Sequence, residues 1–511
     1  MGQPDREHRR PRGRLRLTLL AVLILASAGR AQDLAEFEAR VTEFTLDNGL
    51  KFIVLERHEA PVVTCYTHAD VGAANEVTGL TGLAHLFEHM AFKGTQRIGT
   101  RDYEAEAQVM AKIDAIFTEM KAERRKGDQA NPQRLAELHQ QFQEAQQETQ
   151  AFLVHDEFEE VLKQAGGTGL NAGTSSDYTV YFVNLPSNKL ELWMLMESDR
   201  FLNPVLREFY KEKNVVMEER RMRTESQPVG KLLEEFLAAA YKAHPYGVPV
   251  VGHMSDLEAL ERAEAEAFFR THYVPSNLTM AVVGDVDPAR VKALAQAYFG
   301  RIPARPDPDP VETVEPPQQG ERRVIVEDPA QPFVLIGYHK PSINHPDNAV
   351  FDAITDIVGM GRTSRLYKSL VKEKRIAMYA SGFQGMPGSK YPGLFLFYAV
   401  PARGHSNQEC EAAIYAEIGR LKNELVSAED LKKARTRARA SVIRQLDSNS
   451  GLAGQLTAFE VMTGDWRNLF KQIDQINEVT AEDIQRVARQ YFTTRNRTVG
   501  IIETTTGENE S

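Results

Sequence analysis

Residues 82 to 90 read Gly82-Leu83-Ala84-His85-Leu86-Phe87-Glu88-His89-Met90. On a helix, His85, Glu88 and His89 fall at positions i, i+3 and i+4 and project from one face. Two imidazoles four residues apart can chelate one zinc ion through ring nitrogens. The carboxylate between them then stands beside the open coordination position, where a water would sit. The chain has 13 His, and such pairs arise by chance on solvated helix faces. Here the flanking Leu83, Ala84, Leu86, Phe87, Met90 and Phe92 are apolar. The polar groups therefore sit on a largely buried helix, where imidazole and carboxylate need partners or a metal.

A catalytic zinc takes a third protein ligand, and a carboxylate is the common complement to two His. The segment Glu212-Lys213-Asn214-Val215-Val216-Met217-Glu218-Glu219-Arg220 reads as an amphipathic helix. Glu212 and Glu219 are two turns apart and share a face, while Glu218 is rotated away. Glu219 is assigned as the ligand and Glu212 as the carboxylate that orients a ligating His. Taken singly, each of these acids would read as a surface helix residue.

Further stretches follow in order: Gly82 to Thr95 (GLAHLFEHMAFKGT), Gly166 to Tyr181 (GGTGLNAGTSSDYTVY), Glu212 to Glu219, His244 to Gly252 (HPYGVPVVG) and Tyr273 to Asp285 (YVPSNLTMAVVGD). With these the chain resembles the pitrilysin/insulysin family of inverted-zincin metallopeptidases, and within it the bacterial and mitochondrial processing-peptidase-like branch. The resemblance implies one zinc per chain held by His85, His89 and Glu219, with Glu88 as the general base for a zinc-bound water. It implies a LuxS/processing-peptidase-like half-shell as the fold. The run before Asn171 reads as a Gly-rich turn entering a strand rich in β-branched and aromatic residues. By the resemblance this is an edge strand whose backbone near Asn171 and Ala172 pairs with a peptide substrate, which favours unfolded segments over particular side chains.

About 480 residues beyond the leader exceed one domain, and 42% hydrophobic content suffices for two cores. Pro303, Pro306, Pro308, Pro310, Pro316 and Pro317 punctuate an acidic stretch without apolar periodicity, so residues 303–320 read as a linker. The first domain is expected over 33–302 and the second over 321–505. Phe268 to Tyr273 followed by Asn277 to Val283 reappears as Val487 to Phe492 followed by Asn496 to Ile502, with Asn277 falling on Asn496 at an offset of 219 residues. This points to an internal duplication. Helices and strands mix without strict alternation, so the fold class is α+β, two homologous α/β sandwich domains.

In the second half, Asp347 to Gly359 occupies the place of the metal helix and carries neither His nor Glu. The resemblance implies an Arg and a Tyr seven residues apart in this half that contact substrate and intermediate. Tyr379 matches the second, but the first position is Lys372, which keeps the charge and loses the planar fork. The resemblance further implies a closed chamber formed by two half-shells. The expected partner is therefore a second copy, a homodimer in which Tyr379 and Lys372 serve the other subunit's zinc site, or a heterodimer with a metal-free paralogue.

His89 and Glu219 are 130 residues apart, longer than the family's usual separation. The excess lies in residues 103–160, where apolar positions recur at helical spacing on either side of a break at Lys126 to Pro132. An inserted αα-hairpin is expected, read as a solvated excursion that leaves the site intact, or alternatively as a gate or a dimer contact.

Residues 1–16 are rich in Arg, and Leu17 to Ala28 form a 12-residue apolar core followed by Gly29-Arg30-Ala31. This reads as a signal peptide, 1–31, cleaved after Ala31 or, as second choice, Ala28, and too short to span a membrane. A secreted or periplasmic protein is expected. The two Cys, Cys65 and Cys410, are expected to be free thiols, the first in the core, and their number excludes a thiolate zinc cluster. A net charge of −10 without a basic stripe or aromatic ladder argues against nucleic acid. An acidic chamber would favour basic peptides, although total charge does not locate the acid. The rival class is a nonproteolytic assembly or binding subunit of the same fold, against which His85, Glu88, His89 and Glu219 stand intact.

Overall fold

The offset of 219 residues is realised as two sheets with one strand order. The structure is a computed structural model and describes residues 37–505; the expected signal peptide lies outside the described residues. In the first half, β1 (Val41–Thr45), β2 (Lys51–Glu56), β3 (Val62–Ala69), β4 (Thr168–Thr174), β5 (Thr179–Pro186) and β6 (Leu278–Gly284) form a sheet of order β1-β2-β6-β3-β5-β4. In the second half, β7 (Arg322–Asp328), β8 (Phe333–His339), β9 (Ala377–Met386), β10 (Leu394–Pro401) and β11 (Arg497–Thr504) form the order β7-β11-β8-β10-β9. Removing β1 makes the two orders superimpose, and the parallel pair matches as well: β2 with β6, β7 with β11.

Asn277 and Asn496 mark the same corner in each copy. The Asn277 amide donates to the carbonyls of His272 and Asp70, and the Asn496 amide to those of Tyr491 and His339. Each ties the end of a helix, the start of the sixth or eleventh strand and the end of a neighbouring strand together. An amide NH2 offers two donors, so one residue satisfies two otherwise unpaired carbonyls.

The metal-motif helix α1 (Leu83–Met90) buries Leu83, Leu86, Phe87 and Met90, and the Phe87 ring stacks at 4.8 Å on Phe269 and packs tilted at 4.4 Å against Tyr273. Its N-terminus is unusual: Gly82 has φ +90°, and a Cβ there would lie 2.8 Å from the Val251 carbonyl oxygen. The Glu76 carboxylate accepts the N–H groups of Gly82 and Ala84, each at 2.7 Å, supplying the cap that glycine cannot.

The expected hairpin is present as α2 (Tyr103–Arg124) and α3 (Pro132–Thr149). Asp102 caps the first helix through Ala105 N, and Asn131 caps the second, with Pro132 at its first position. It is not a solvated excursion, and that expectation is corrected. Val109, Ile113 and Phe117, spaced by four, and Ala145 from α3 belong to the main core of the first half, and the Phe117 ring lies 4.5 Å from that of Tyr210. Glu106, fully buried, receives Arg207 Nε at 2.9 Å and Nη2 at 3.2 Å. Such a bidentate pair pins α2 to the segment leading into α4 (Phe209–Arg220).

The two halves also exchange helices. From the first half, α5 (Pro228–Ala240) packs Leu232 and Phe236 against Leu335, Leu396 and Ile502 of the second sheet. From the second half, α6 (Asn449–Thr463) packs Leu452, Ala453 and Leu456, with Trp466, against Ile53, Leu55, Ala281 and Val283 of the first sheet. Burial of a side chain such as Phe236 stabilises by roughly 1.5–3 kcal/mol, so each sheet depends on the other half to cover one of its faces. Residues 303–320 run without regular structure between the halves. They are held by Glu315, whose carboxylate accepts the N–H groups of Lys242, Ala243 and His244.

Cys65 and Cys410 are both free and both buried. Cys410 lies on the inner face of its helix beside Ala413 and Ile414, which its polar flanks did not announce. Among the described residues no helix is long and apolar enough to cross a membrane.

Candidate metal centre

Helices α1 and α4 bring His85, His89 and Glu219 together. His85 Nε2 lies 3.6 Å from one Glu219 oxygen and His89 Nε2 lies 3.5 Å from the other, and one donor atom from each residue falls within 4.8 Å of the others. These separations are long for hydrogen bonds. They are close to the edge, about 3.4 Å, of a tetrahedron whose corners lie about 2.0–2.1 Å from a central zinc. Among the described residues the buried Nδ1 of His85 has no hydrogen-bond partner, so this imidazole is held by packing and by what it faces through Nε2. Two imidazoles and a carboxylate are the donor set that suits zinc, and the residues present fit that ion. Glu218, by contrast, points to solvent and pairs with Arg221.

Glu212 stands behind His89. One of its oxygens is 3.5 Å from His89 Nδ1 and the other accepts from Lys93 Nζ at 2.6 Å. Burial pulls the imidazole of His89 down, but the bond to Glu212 and the charges of Glu219, Glu212 and Glu88 outweigh this and leave it above its usual value. His85 has less compensation. Its burial, only partly offset by Glu219, pushes it down to about 4, so it presents a neutral, ligand-competent ring across the physiological range. For Glu212 itself burial acts upward, and the contacts with His89 and Lys93 prevail and hold it below the usual carboxylate range.

Glu88 shares a cavity of about 770 Å³ with His85, His89 and Glu219, and residues Asn171 to Thr174 of β4 line the same space. Burial raises the Glu88 carboxyl above its ordinary value, while Thr174 hydrogen bonding and the charge of His89 work the other way. The strand β4 is the outermost of its sheet. The sequence suggested one strand entered by a turn. The stretch is instead a hairpin, with β4 starting at Thr168 and a turn at Ser175 to Tyr178 before β5. Glycines at 169 and 173 lower strand propensity and hid the first strand. On the edge side, Ala172 N–H is occupied by the Asn171 side chain at 2.9 Å.

Lys372 and Tyr379 do not line this cavity. Tyr379, 49% exposed, stands on β9, the edge strand of the second sheet and the counterpart of β4, with its ring stacked at 5.6 Å on Tyr398. Lys372 lies in the helical turn Tyr367–Glu373 that precedes it.

Three residues that the sequence did not single out for the candidate site contact it: Lys93 on Glu212, Thr174 on Glu88, and Arg223 on Glu219. Lys93 follows His89 by four residues and Arg223 follows Glu219 by four, a spacing that could have flagged both.

The sequence profile described as "Insulinase (Peptidase family M16)" matches residues 52–121 and 145–253, and that described as "Peptidase M16 inactive domain" matches residues 259–438. The stretch left out, 122–144, is the tip of the helical hairpin with most of α3. The zinc protease PqqE of Helicobacter pylori is 28% identical over 488 residues, covering 93% of this chain and 96% of that protein. A crystal structure of a protease from Helicobacter pylori superposes with a TM-score of 0.76 at 26% identity, over 91% of this chain and 99% of that one. The periplasmic protease PqqL from Escherichia coli shares the fold, with a TM-score of 0.68 at 16% identity, over 91% of this chain but 48% of its own.

Proposed function

Since this chain belongs to the insulinase peptidase family, M16, we propose that it is a zinc-dependent endopeptidase that hydrolyses peptides or unfolded polypeptide segments. The observation that carries this reading is the convergence of His85, His89 and Glu219, with donor atoms within 4.8 Å of one another, in the cavity that also holds Glu88 and the edge strand β4. Zinc, held by those three residues, would supply a Lewis acid that polarises the scissile carbonyl and acidifies water.

The remaining work falls to the chain's own groups. The edge of β4 gives a substrate backbone a strand to pair with, once the Asn171 side chain yields the Ala172 N–H it occupies. Glu88, its carboxyl raised by burial, takes a proton from the attacking water and passes it to the leaving amine. Glu212 fixes the ring orientation of His89 and keeps its Nε2 turned toward Glu219.

Tyr379 and Lys372 are proposed to serve the metal site of a partner, either a second copy or a metal-free paralogue. Two observations support this: Tyr379 stands on the counterpart edge and Lys372 in the helical turn before it, both away from the chain's own cavity, and the chain spans about half the length of PqqL. With the leader read from the sequence, an exported, periplasmic setting is proposed.

The test is zinc content by mass spectrometry on the purified protein, paired with cleavage of a quenched basic peptide before and after chelation. About one zinc per chain with chelator-sensitive cleavage is expected. Glu88→Gln should keep its zinc and lose turnover by a factor on the order of 10²–10⁴, because an amide cannot accept the proton. Retained turnover in zinc-loaded Glu88→Gln would remove Glu88 from its role. A folded protein without zinc would favour the assembly-subunit reading.

A further inference from the structure

We propose that the metal-free half of the chain supplies the specificity wall of the metal cavity: the end of β9 and the loop joining it to β10 build, with residues of the first half, a subsite for a bulky apolar substrate side chain. The inference deepens the peptidase reading and rests on it.

One side of the cavity is polar, formed by the metal triad, Glu88 and the β4 edge. The same cavity is also lined by Leu233, Leu237, Val248, Val250, Met386 and Pro387. Leu237 belongs to an apolar cluster against which Leu233 and Met386 both pack, so residues from the two halves form one continuous surface there. A peptide paired along β4 presents its side chains alternately to the two faces of the sheet. Those directed into the cavity meet this wall. The charged residues in the same lining are already engaged, Arg223 by Glu219 and Glu234 by Arg220, so a charged substrate side chain would lose its hydration at this wall for little return.

The loop is locked in place, and its lock is the turn at the end of β4. Asp177, 4% exposed in that turn, accepts the N–H groups of Ser389 at 2.7 Å and Lys390 at 3.1 Å, as well as the Tyr246 hydroxyl. Tyr246 in turn accepts Tyr391 N–H at 3.2 Å, and Lys390 pairs with Asp70. A Cβ on Gly388 would lie 2.4 Å from the Tyr246 hydroxyl and 2.5 Å from an Asp177 oxygen, so glycine alone allows this approach. Asp177 is therefore a positioning residue: it couples the strand that would hold the substrate to the wall that would select it.

The experiment uses the zinc-loaded full chain and quenched peptides of one sequence that differ only at the two residues flanking the cleaved bond, carrying Leu, Phe, Ala, Asp or Lys. At one flanking position, Leu and Phe should exceed Asp by about tenfold or more in kcat/KM, the discrimination an apolar pocket gives. Met386→Glu should keep its zinc content and collapse that ratio, raising the standing of Lys relative to Leu. Gly388→Ala, which displaces the loop without changing the wall's chemistry, should raise KM for the Leu peptide more than it lowers kcat. The same peptides are also bound to zinc-loaded Glu88→Gln, with and without Met386→Glu, and followed by fluorescence anisotropy. An apolar preference that survives Met386→Glu in both cleavage and binding overturns the inference and leaves the peptidase reading intact. If the zinc-loaded wild type cleaves none of the peptides, either alone or with a metal-free paralogue added, the peptidase reading fails. The binding series then decides the subsite alone: apolar preference lost on Met386→Glu supports it, and equal binding of Leu and Asp peptides overturns it.

Discussion

The Glu212 carboxylate stands 3.5 Å from Nδ1 of His89, on the side of the ring opposite the nitrogen that faces Glu219. A carboxylate in that position fixes the tautomer and orientation of a ligating imidazole and makes it a stronger base. Glu212→Gln preserves shape and removes the charge. We expect zinc affinity to fall by about 10–100-fold, measured by competition against a chelator of known affinity, with the fold retained by circular dichroism. Unchanged affinity would make Glu212 only a partner for Lys93.

Glu106→Gln tests the docking of the hairpin. Glu106 and Arg207 are both buried and bonded through two nitrogens. Arg207 also reaches the carbonyls of Ile98 at 2.9 Å and Thr95 at 2.7 Å. Neutralising the acid leaves a guanidinium without its counter-charge, a defect that costs about 3–5 kcal/mol at buried pairs. Denaturant unfolding should show a loss of that order, and a loss below about 1 kcal/mol would place the pair in contact with water.

His68 offers a pH-dependent test. Burial, with the charge of Lys390 acting in the same sense, holds its imidazole down to about 3, and among the described residues neither ring nitrogen has a hydrogen-bond partner. The folded state thus binds a proton less readily than the unfolded chain, so stability is full above the unfolded value of about 6.5 and is lost as pH falls toward the folded one. His68→Leu removes the titrating group. Relative to wild type, the variant should be no less stable at pH 7 and should gain up to about 1.4 kcal/mol per pH unit on acidification below that value. A difference in urea midpoint that stays constant with pH would count against the assignment.

Subunit mixing tests the proposed role of Tyr379. If it serves the partner's metal site in a homodimer, Glu88→Gln and Tyr379→Phe proteins are each impaired. Each exchanged dimer then regains one intact site. Random exchange of equal amounts should restore about one quarter of wild-type turnover. Activity equal to the sum of the separate proteins would place Tyr379 outside a partner's site.

The parts of the site that lie on one helix face were legible in the sequence. The spacings His85 to His89 and Glu212 to Glu219 encode which side chains can meet, because a helix repeats every 3.6 residues. The linker was legible through its prolines, and the duplication through the pair Asn277 and Asn496, whose amides make equivalent bonds. Contacts between elements far apart in the chain were not. Nothing local to Glu106 or Arg207 shows that these two charges, 101 residues apart, will be partners. The apolar positions of the hairpin were read correctly as helical, but periodicity says which face is apolar and not what it packs against. The approach of the 387–393 loop to Asp177 was invisible for the same reason.

The exchange of α5 and α6 between the halves bears on what residues 303–320 do. Phe236 is buried in the second sheet and Leu456 in the first, so each half carries its own piece of the other's interior. Connectivity and cohesion are thereby separated. The linker ensures that both halves are synthesised in equal number and at high local concentration, but it does not hold them together afterwards. A peptide bond broken within it would leave a nicked particle rather than two fragments, and neither half made alone would have a dry outer sheet.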